Sequence, residues 1–321
     1  MKIWMQHKLG GSGKGKFIER LCDELDMRGV KWSRERKGCD VCLGVIKWAG
    51  EPGMPSVLRI DGAHFYDDKR RHWINKMIRK SCKTATAIIW QSTFCKKMGH
   101  SFLKCKPRKE FIIHNGALPG SEDEVKDILR LRILRDAPNA RHVLLCARFR
   151  NRPQKGLKEM LKLARAYCQG RPEVTFAVCG KADEKYVQKY RSAQIKFVGN
   201  CEDVELRYFM LGCDALLYLA SYDWCPNSVV EAQVLGLPVV YIKGHALDEL
   251  VGEHGVGIAS GQALKLGYTR SKLRPVFDRD EAVAAIERAL EWPHKVVRPD
   301  LHIETITTKY LEALQWAMDN G

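Results

Sequence analysis

Residues 221–240 read SYDWCPNSVVEAQVLGLPVV, and they join two apolar runs of the chain. The run ALLYLA at 215–220 has the length and composition of a buried strand, and LPVV opens the next one. Between them, Asn227 or Ser228 is a suitable helix N-cap, and Gly236 lies where the helix would end. The pattern therefore predicts strand, loop, helix, turn and strand.

Two carboxylates stand out in this stretch. Asp223 is on the predicted loop, and Glu231 is on the first turn of the helix, eight positions later. In a parallel sheet such loops gather at the carboxyl ends of the strands, where ligands bind. Free N–H groups at the helix start would hold phosphate, and the carboxylates would accept hydrogen bonds from hydroxyls. Alternatively, both carboxylates only complement the helix dipole.

The whole string resembles the acidic-x7-acidic motif of retaining GT-B glycosyltransferases of family 4, in the form CPNSVVEA followed by GLPVV. It departs at its first acidic position, where Asp223 replaces the commoner glutamate and is one methylene shorter. The resemblance implies that Glu231 binds the ribose hydroxyls of a nucleotide-sugar donor. It also implies that Asp223, a catalytic candidate, and the N–H groups around Pro226, Asn227 and Ser228 hold the sugar.

A second segment, ARFRNRPQKGL at 147–157, resembles the family's G-R…K-G segment, although Ala147 replaces the usual glycine. The resemblance implies that Arg148 and Lys155 bind the donor diphosphate and neutralise charge on the leaving group. The chemistry agrees, because arginine can bind phosphate with two parallel hydrogen bonds and lysine adds a point charge. The alternative is a basic surface loop without a ligand.

The loop at 7–16, between the first strand and the first helix, is basic and rich in glycine. Such a loop can bring backbone N–H groups close to a phosphate. Gly10 and Gly11 match the Gly-Gly that the resembled family carries near the donor. The loop is also close to the P-loop pattern, but Phe17 occupies the Ser/Thr position of a nucleoside triphosphatase.

Asp61 and His64 follow the strand predicted at 56–60. Many members of the family have a histidine near the position of Asp61 that touches the donor sugar, so either residue can face the sugar or the acceptor. The alternative is that Asp61 caps a helix after Phe65.

Residues 68–80 form an amphipathic and strongly basic pattern, in which Trp73, Ile74, Met77 and Ile78 share one face. The pattern predicts either an ordinary helix with a solvated basic face or peripheral contact with an anionic membrane.

Composition sets the broad class. The 321 residues, 45% hydrophobic and 29% charged, are enough for two globular domains. The net charge of +16 predicts an anionic partner.

No apolar run approaches the roughly 18–20 residues that span a bilayer, and a strand beginning almost at Met1 leaves no room for a signal peptide. Twelve scattered cysteines favour a reducing cytoplasm; the pair Cys39 and Cys42 lacks the further ligands of a zinc site.

Strand and helix patterns alternate in both halves, which predicts an α/β protein with two doubly wound domains. The resemblance specifies a GT-B fold, with an acceptor-side domain at 1–137, a nucleotide-sugar domain at 138–300, and a last helix at 301–321 packing back on the first. It implies a hexosyltransferase with retention of configuration, no metal or other cofactor, and a glycan, glycolipid or protein acceptor. The alternative from another class is a basic nucleic-acid-binding protein, although no recognised nucleic-acid motif appears.

Overall fold

The computed structural model describes residues 1–6, 13–46, 53–64, 69–104, 107–120, 140–150, 152–263, 274–292 and 297–321, and the side chains of 69–72 are outside this set. The predicted domain limit at 137/138 also falls outside it, and so do Gly10 and Gly11. Within the described residues, no helix is both long enough and apolar enough to cross a membrane.

The first half of the chain forms one α/β unit. Its elements are β1 Lys2–Met5, α1 Gly13–Met27, β2 Lys31–Ser33, β3 Val41–Val45, β4 Ser56–Ile60, α2 Lys69–Thr84, β5 Ala87–Trp90, α3 Thr93–Leu103 and β6 Glu110–Ile112. The six strands form a parallel sheet in the order β2-β1-β3-β4-β5-β6.

The second half repeats this plan. Its strands are β7 Arg141–Cys146, β8 Val174–Cys179, β9 Ile195–Gly199, β10 Ala215–Tyr218, β11 Val239–Ile242 and β12 Gly255–Ile258. Its helices are α4 Leu157–Tyr167, α5 Glu184–Tyr190, α6 Asp203–Gly212, α7 Asn227–Val234, α8 Leu247–Leu250 and α9 Arg279–Leu290, with 3-10 turns at Pro153–Lys155, Gly252–His254 and Pro299–Leu301, before the final helix α10 Ile303–Asn320. The second sheet is also parallel, in the order β12-β11-β10-β7-β8-β9. The predicted pair of doubly wound α/β domains is confirmed.

The strands of the second sheet read as continuous apolar runs because helices cover both of its faces. Alternate residues of β7 enter different cores: Leu144 packs with Leu216 on one face, while Val143 packs with Leu217 on the other. This burial is the main stabilising contribution to the domain, at roughly 25 cal/mol for each Å² of apolar surface removed from water.

The final helix, α10, belongs to the core of the first sheet. Ile306 and Tyr310 of α10 are buried in the same cluster as Ile3 and Phe17 of the first domain. The chain reaches α10 through a short bridge, in which the Ile303 N–H donates to the Ala117 carbonyl at 2.9 Å. The helix therefore ties the end of the chain to the domain that opens it.

Three local features differ from the sequence-based expectations. Glu231, predicted on the first turn of its helix, lies on the second turn of α7. The strand β2 was not expected; it is three residues long and at the sheet edge, so it carries little periodic signal. The N-cap of α7 is Pro226, without a side-chain cap, so the prediction that Asn227 or Ser228 caps this helix is wrong. The Asn227 side chain is used across the domain boundary instead, as described below.

Candidate active site

The second sheet has a topological switch point between β7 and β10, because the chain proceeds from these neighbours toward opposite edges. Such a point leaves a crevice at the carboxyl ends of the two strands. The loops after them meet there: the Ser221 N–H donates to the Gln154 carbonyl at 2.8 Å. Gly156 completes the first loop at φ +68°, where a Cβ would overlap the Leu219 carbonyl. The position therefore requires glycine, which explains the Lys-Gly pair.

Asp223 and Lys155 lie at the centre of this crevice. The Lys155 ammonium forms an ion pair with Asp223 Oδ2 and also donates to the Tyr218 hydroxyl. Tyr218 donates to the same carboxylate oxygen at 2.6 Å, and the Trp224 N–H donates to the other oxygen at 2.8 Å. The structure therefore brings two of the predicted catalytic residues into direct contact and adds a tyrosine between them.

The surroundings fix the ionisation of this cluster. Burial alone would raise the pKa of Asp223, but the Lys155 charge and the hydrogen bonds from Lys155, Tyr218 and Trp224 hold that pKa below its ordinary value. Burial and the Asp223 charge raise the pKa of Tyr218 well above its ordinary value. At neutral pH Asp223 is thus a carboxylate and Tyr218 a neutral phenol.

Arg148 occupies a different environment on the loop after β7. Its side chain is exposed, and it forms neither an ion pair nor a hydrogen bond within the described part of the chain. Arg148 therefore has no partner among the described residues, whereas the Lys155 ammonium is paired with Asp223.

The start of α7 faces the same crevice and is held by the first domain. The first N–H groups of an α-helix have no partner inside the helix, and Pro226, Asn227 and Ser228 precede or supply them here. Asn115, which follows β6, donates to Asn227 Oδ1 at 2.7 Å and to the Cys225 carbonyl at 3.0 Å. These contacts position the helix start relative to the first domain.

Glu231 is buried on α7 and pairs with a residue of the first domain. Its Oε1 atom accepts a hydrogen bond from Arg20 Nη2 on α1. A second ion pair, between Lys16 of α1 and Asp203 of α6, runs beside it. The carboxylate predicted to serve ribose therefore lies where the two domains touch, and its ribose contact stays a prediction.

Asp61 and His64 lie on the first-domain side. Asp61 is paired with Arg59, whose side chain is fully buried and also donates to Asn115 Oδ1 at 2.7 Å. The His64 N–H donates to Asn75 Oδ1 at 2.9 Å, which fixes its backbone against α2. Among the described residues, Asp61 thus has a structural partner, and its contact with sugar or acceptor remains a prediction.

Trp224 connects the crevice to the first domain. Its carbonyl accepts from the Ser92 hydroxyl at 2.7 Å, and its ring stacks on Phe94 at 5.3 Å between centroids. The ring also covers Gly62, where φ is +113° and a Cβ would overlap the indole. At the start of α3, the N–H groups of Thr93 and Phe94 donate to the Glu249 carboxylate at 2.9 and 3.2 Å.

Three residues of the site were missed by sequence reasoning. Tyr218 was counted as part of an apolar strand, and Arg20 was not singled out. His245 is buried, donates through Nε2 to the Ala220 carbonyl at 3.2 Å, and has its pKa lowered, mainly by burial. Tyr218 offered one signal, since a tyrosine that ends a buried strand needs a polar partner for its hydroxyl.

The pair Cys39 and Cys42 has no metal-binding neighbours in the structure as described. In the ranges that the structure describes, no group of three or more His, Cys, Asp or Glu side chains is arranged to hold a metal ion. Cys39 donates instead to the Glu35 carbonyl at 3.3 Å, and Cys42 is buried in β3.

Comparisons with known proteins cover the same part of the chain. Residues 136–265, which contain the crevice, match the family described as "Glycosyl transferases group 1". The chain is also 26% identical over 148 residues to the Vi polysaccharide biosynthesis protein VipC/TviE of Salmonella typhi. That alignment covers 43% of this chain and 25% of the relative, so the chain aligns with about a quarter of that protein's length.

Solved structures share the complete fold. WaaG, "a glycosyltransferase involved in lipopolysaccharide biosynthesis", superimposes with a TM-score of 0.67 at 13% identity, covering 99% of each chain. Anabaena Alr3699/HepE in complex with UDP-glucose superimposes with a TM-score of 0.66 at 15% identity, covering 98% of this chain and 100% of that one. The architecture is therefore the GT-B fold, and the second domain carries the group 1 sequence signature.

Proposed function

We propose that the chain is a glycosyltransferase that moves a hexosyl group from a nucleotide-sugar to an acceptor hydroxyl with retention of configuration. The observation that carries the proposal is the Lys155–Asp223 ion pair at the switch point, beside the start of α7 and within reach of the exposed Arg148 loop. Together, these parts supply the Lys155 and Arg148 cations and the N–H groups of α7 for a diphosphate. The Asp223 carboxylate is supplied for hydroxyls. The group 1 match over the same residues supports it.

The leaving group defines the main electrostatic task. As the bond between the anomeric carbon and the diphosphate breaks, negative charge grows on the phosphate oxygens. Lys155 and Arg148 stabilise that charge, helped by the N–H groups that open α7. Two cationic side chains do the work that a metal ion does in other transferases, so the proposed reaction is independent of metal. Glu231 accepts hydrogen bonds from the ribose hydroxyls.

The state of Asp223 bears on how the proposed retention would be achieved. Both of its oxygens accept hydrogen bonds, and its pKa is depressed, so it is a weak base and a weak nucleophile. It is suited to hold a sugar hydroxyl rather than to attack the anomeric carbon. We propose a front-face displacement, in which the acceptor hydroxyl enters on the side that the diphosphate leaves and passes its proton to a phosphate oxygen.

The donor and acceptor are proposed by class. The HepE structure contains UDP-glucose, so UDP-sugars are the first donors to test. The acceptor is a glycan, glycolipid or protein hydroxyl on the first-domain side, near Asp61 and His64. The family match over residues 136–265 does not favour the alternative of a nucleic-acid-binding role.

A donor panel tests the function. UDP-, GDP- and ADP-hexoses are incubated with the protein, and release of the nucleoside diphosphate is measured with and without EDTA. We expect one of these donors to release its nucleoside diphosphate at a rate that EDTA does not change. Proton NMR of the transferred sugar should show the same anomeric configuration as in the donor. Loss of activity in EDTA would contradict metal independence, and an inverted product would contradict the retaining mechanism.

A further inference from the structure

The contact between α1 and α7 has a polar centre. Arg20 on α1 donates through Nη2 to Glu231 Oε1 on α7, and the same Nη2 is 4.0 Å from Asp203 Oδ2. The two partners come from different domains, so the carboxylate assigned to ribose on the second domain is held by a side chain of the first.

Both side chains of this pair are nearly shielded from water. The Arg20 side chain is 15% exposed and that of Glu231 is 10% exposed. Buried ions need hydrogen bonds beyond those of their mutual contact, since each has given up hydration. Arg20 Nη1 is buried, yet it has no acceptor within the part of the chain that the structure describes. One strong donor beside Glu231 therefore lacks a protein partner.

The arrangement matches the hydrogen bonds of a sugar hydroxyl. A carboxylate has about four acceptor positions, of which Arg20 fills one on Glu231. A hydroxyl both donates and accepts. It can give its proton to Glu231 and present a lone pair to Arg20 Nη1. A vicinal diol such as that of ribose would use the carboxylate and the guanidinium together.

We propose that Arg20 is the first domain's contribution to recognition of the donor ribose: it orients Glu231 and donates Nη1 to the hydroxyl that Glu231 accepts from. This inference rests on the proposed nucleotide-sugar donor and adds two statements to it. The donor must carry ribose rather than deoxyribose. Tight nucleotide binding also requires α1, and therefore both domains, although Arg148 and Lys155 belong to the second domain.

Removal of one hydroxyl is the sharpest probe. A site that hydrogen-bonds a hydroxyl rejects the analogue without it, because buried polar groups then remain unpaired. Isothermal titration calorimetry would first identify which of UDP, GDP and ADP binds the wild-type protein most tightly. That nucleotide is then compared with its 2′-deoxy analogue on wild type, Arg20→Met, Arg20→Lys and the control Lys16→Met.

The wild-type protein should prefer the ribonucleotide by about tenfold or more, as expected for hydrogen bonds to charged groups. In Arg20→Met the affinity for the ribonucleotide should fall about tenfold, while that for the deoxynucleotide should change much less. Arg20→Lys keeps the charge without the planar fork, so its preference should be intermediate. Lys16→Met removes the neighbouring ion pair on the same helix and should keep the wild-type preference.

The outcomes separate this inference from the proposed function. If Arg20→Met melts far below wild type, Arg20→Lys carries the test. Undiminished preference in the Arg20 variants, tighter binding in them, or no preference in wild type would overturn the role of Arg20 and leave the donor proposal standing. If none of the three nucleotides binds wild type, the donor proposal fails, and this inference fails with it.

Discussion

The Lys155 ammonium lies against Asp223 Oδ2, so the loop after β7 and the loop after β10 are joined by an ion pair at the switch point of the second sheet. The pair orients both side chains before any ligand arrives. Arg148 is exposed on the same loop as Lys155, so the two cations have different roles. Lys155 is held and partly neutralised by Asp223, whereas the Arg148 side chain can move with the ligand.

This division predicts different effects for the two cations. Arg148→Ala should lower kcat about 100-fold or more, as does the loss of one donor to a developing anion elsewhere, with the melting temperature unchanged because the side chain is exposed. Lys155→Met should lower kcat and also destabilise the fold by about 3–5 kcal/mol, since Asp223 is left as an unpaired buried charge. Steady-state kinetics and denaturant unfolding measure the two effects.

Arg150→Ala is the matched control for Arg148→Ala, since Arg150 is an exposed arginine two positions away on the same loop. It should keep wild-type kcat. Equal losses in both variants would show that the loop contributes only general positive charge.

The depressed pKa of Asp223 predicts how stability depends on pH. A carboxyl whose folded pKa is below its ordinary value of 3.8 contributes stability above that value and loses it as the pH falls through the folded pKa. The difference in unfolding free energy between wild type and Asp223→Asn should therefore be constant from pH 8 to pH 5. It should narrow below pH 3.8. Urea unfolding at each pH measures it, and a difference that already shrinks near pH 6 would show an elevated pKa.

Much of this site could be predicted from the sequence because its motifs are local. Residues 215–240 encode strand, loop, helix and strand within one short stretch, and Asp223 and Glu231 are placed on the loop and the helix by that pattern alone. The partners of these residues could not be predicted in the same way. Arg20 is 211 positions from Glu231, and only the docking of two domains brings them together.

The error at Asn227 has the same origin. A side-chain cap is a local interaction that favours Asn at a helix start. Here the Asn227 amide donates to the Gly13 carbonyl at 2.8 Å and its oxygen accepts from Asn115. Contacts with the first domain therefore replaced the local bond, and nothing in the neighbouring sequence signals them.

Gly62 and Trp224 provide a test of the domain contact. Gly62→Ala places a methyl group in the indole ring and a side chain at φ +113°, so we expect a destabilisation of about 2–4 kcal/mol from overpacking and backbone strain. Gly53→Ala is the control, since its φ is +84° and nothing lies within 4 Å of its Cβ position. It should show the backbone effect alone. Unfolding free energies that match in the two variants would contradict the Trp224 contact.

The basic helix α2 predicts membrane contact. Trp73, Lys76 and Lys80 are exposed and spaced to share one face, with Trp73 54% exposed. Among the other basic residues of the 68–80 stretch, Arg79 points away from this face and donates to the Phe102 carbonyl at 3.3 Å. The side chains of Lys69, Arg70 and Arg71 lie outside the described residues. We expect flotation with anionic liposomes that weakens with salt and falls when Lys76 and Lys80 become Glu, at about 1 kcal/mol for each lysine removed.

The control for this change is Lys185→Glu with Lys189→Glu, two exposed lysines on α5 of the second domain. It alters net charge equally and should still float. If wild type stays unbound at low salt on strongly anionic vesicles, α2 is a solvated helix and the acceptor is not presented by a membrane.

The most direct test of the central claim is the melting temperature of the wild-type protein in the presence of nucleotide-sugars. The account predicts that one of UDP-, GDP- or ADP-glucose raises the melting temperature, because at about 100 times its Kd the ligand stabilises the fold by about 2.7 kcal/mol. In Glu231→Gln most of this rise in melting temperature should be lost. A protein that none of these donors stabilises, while duplex DNA does so at low salt, would contradict the account.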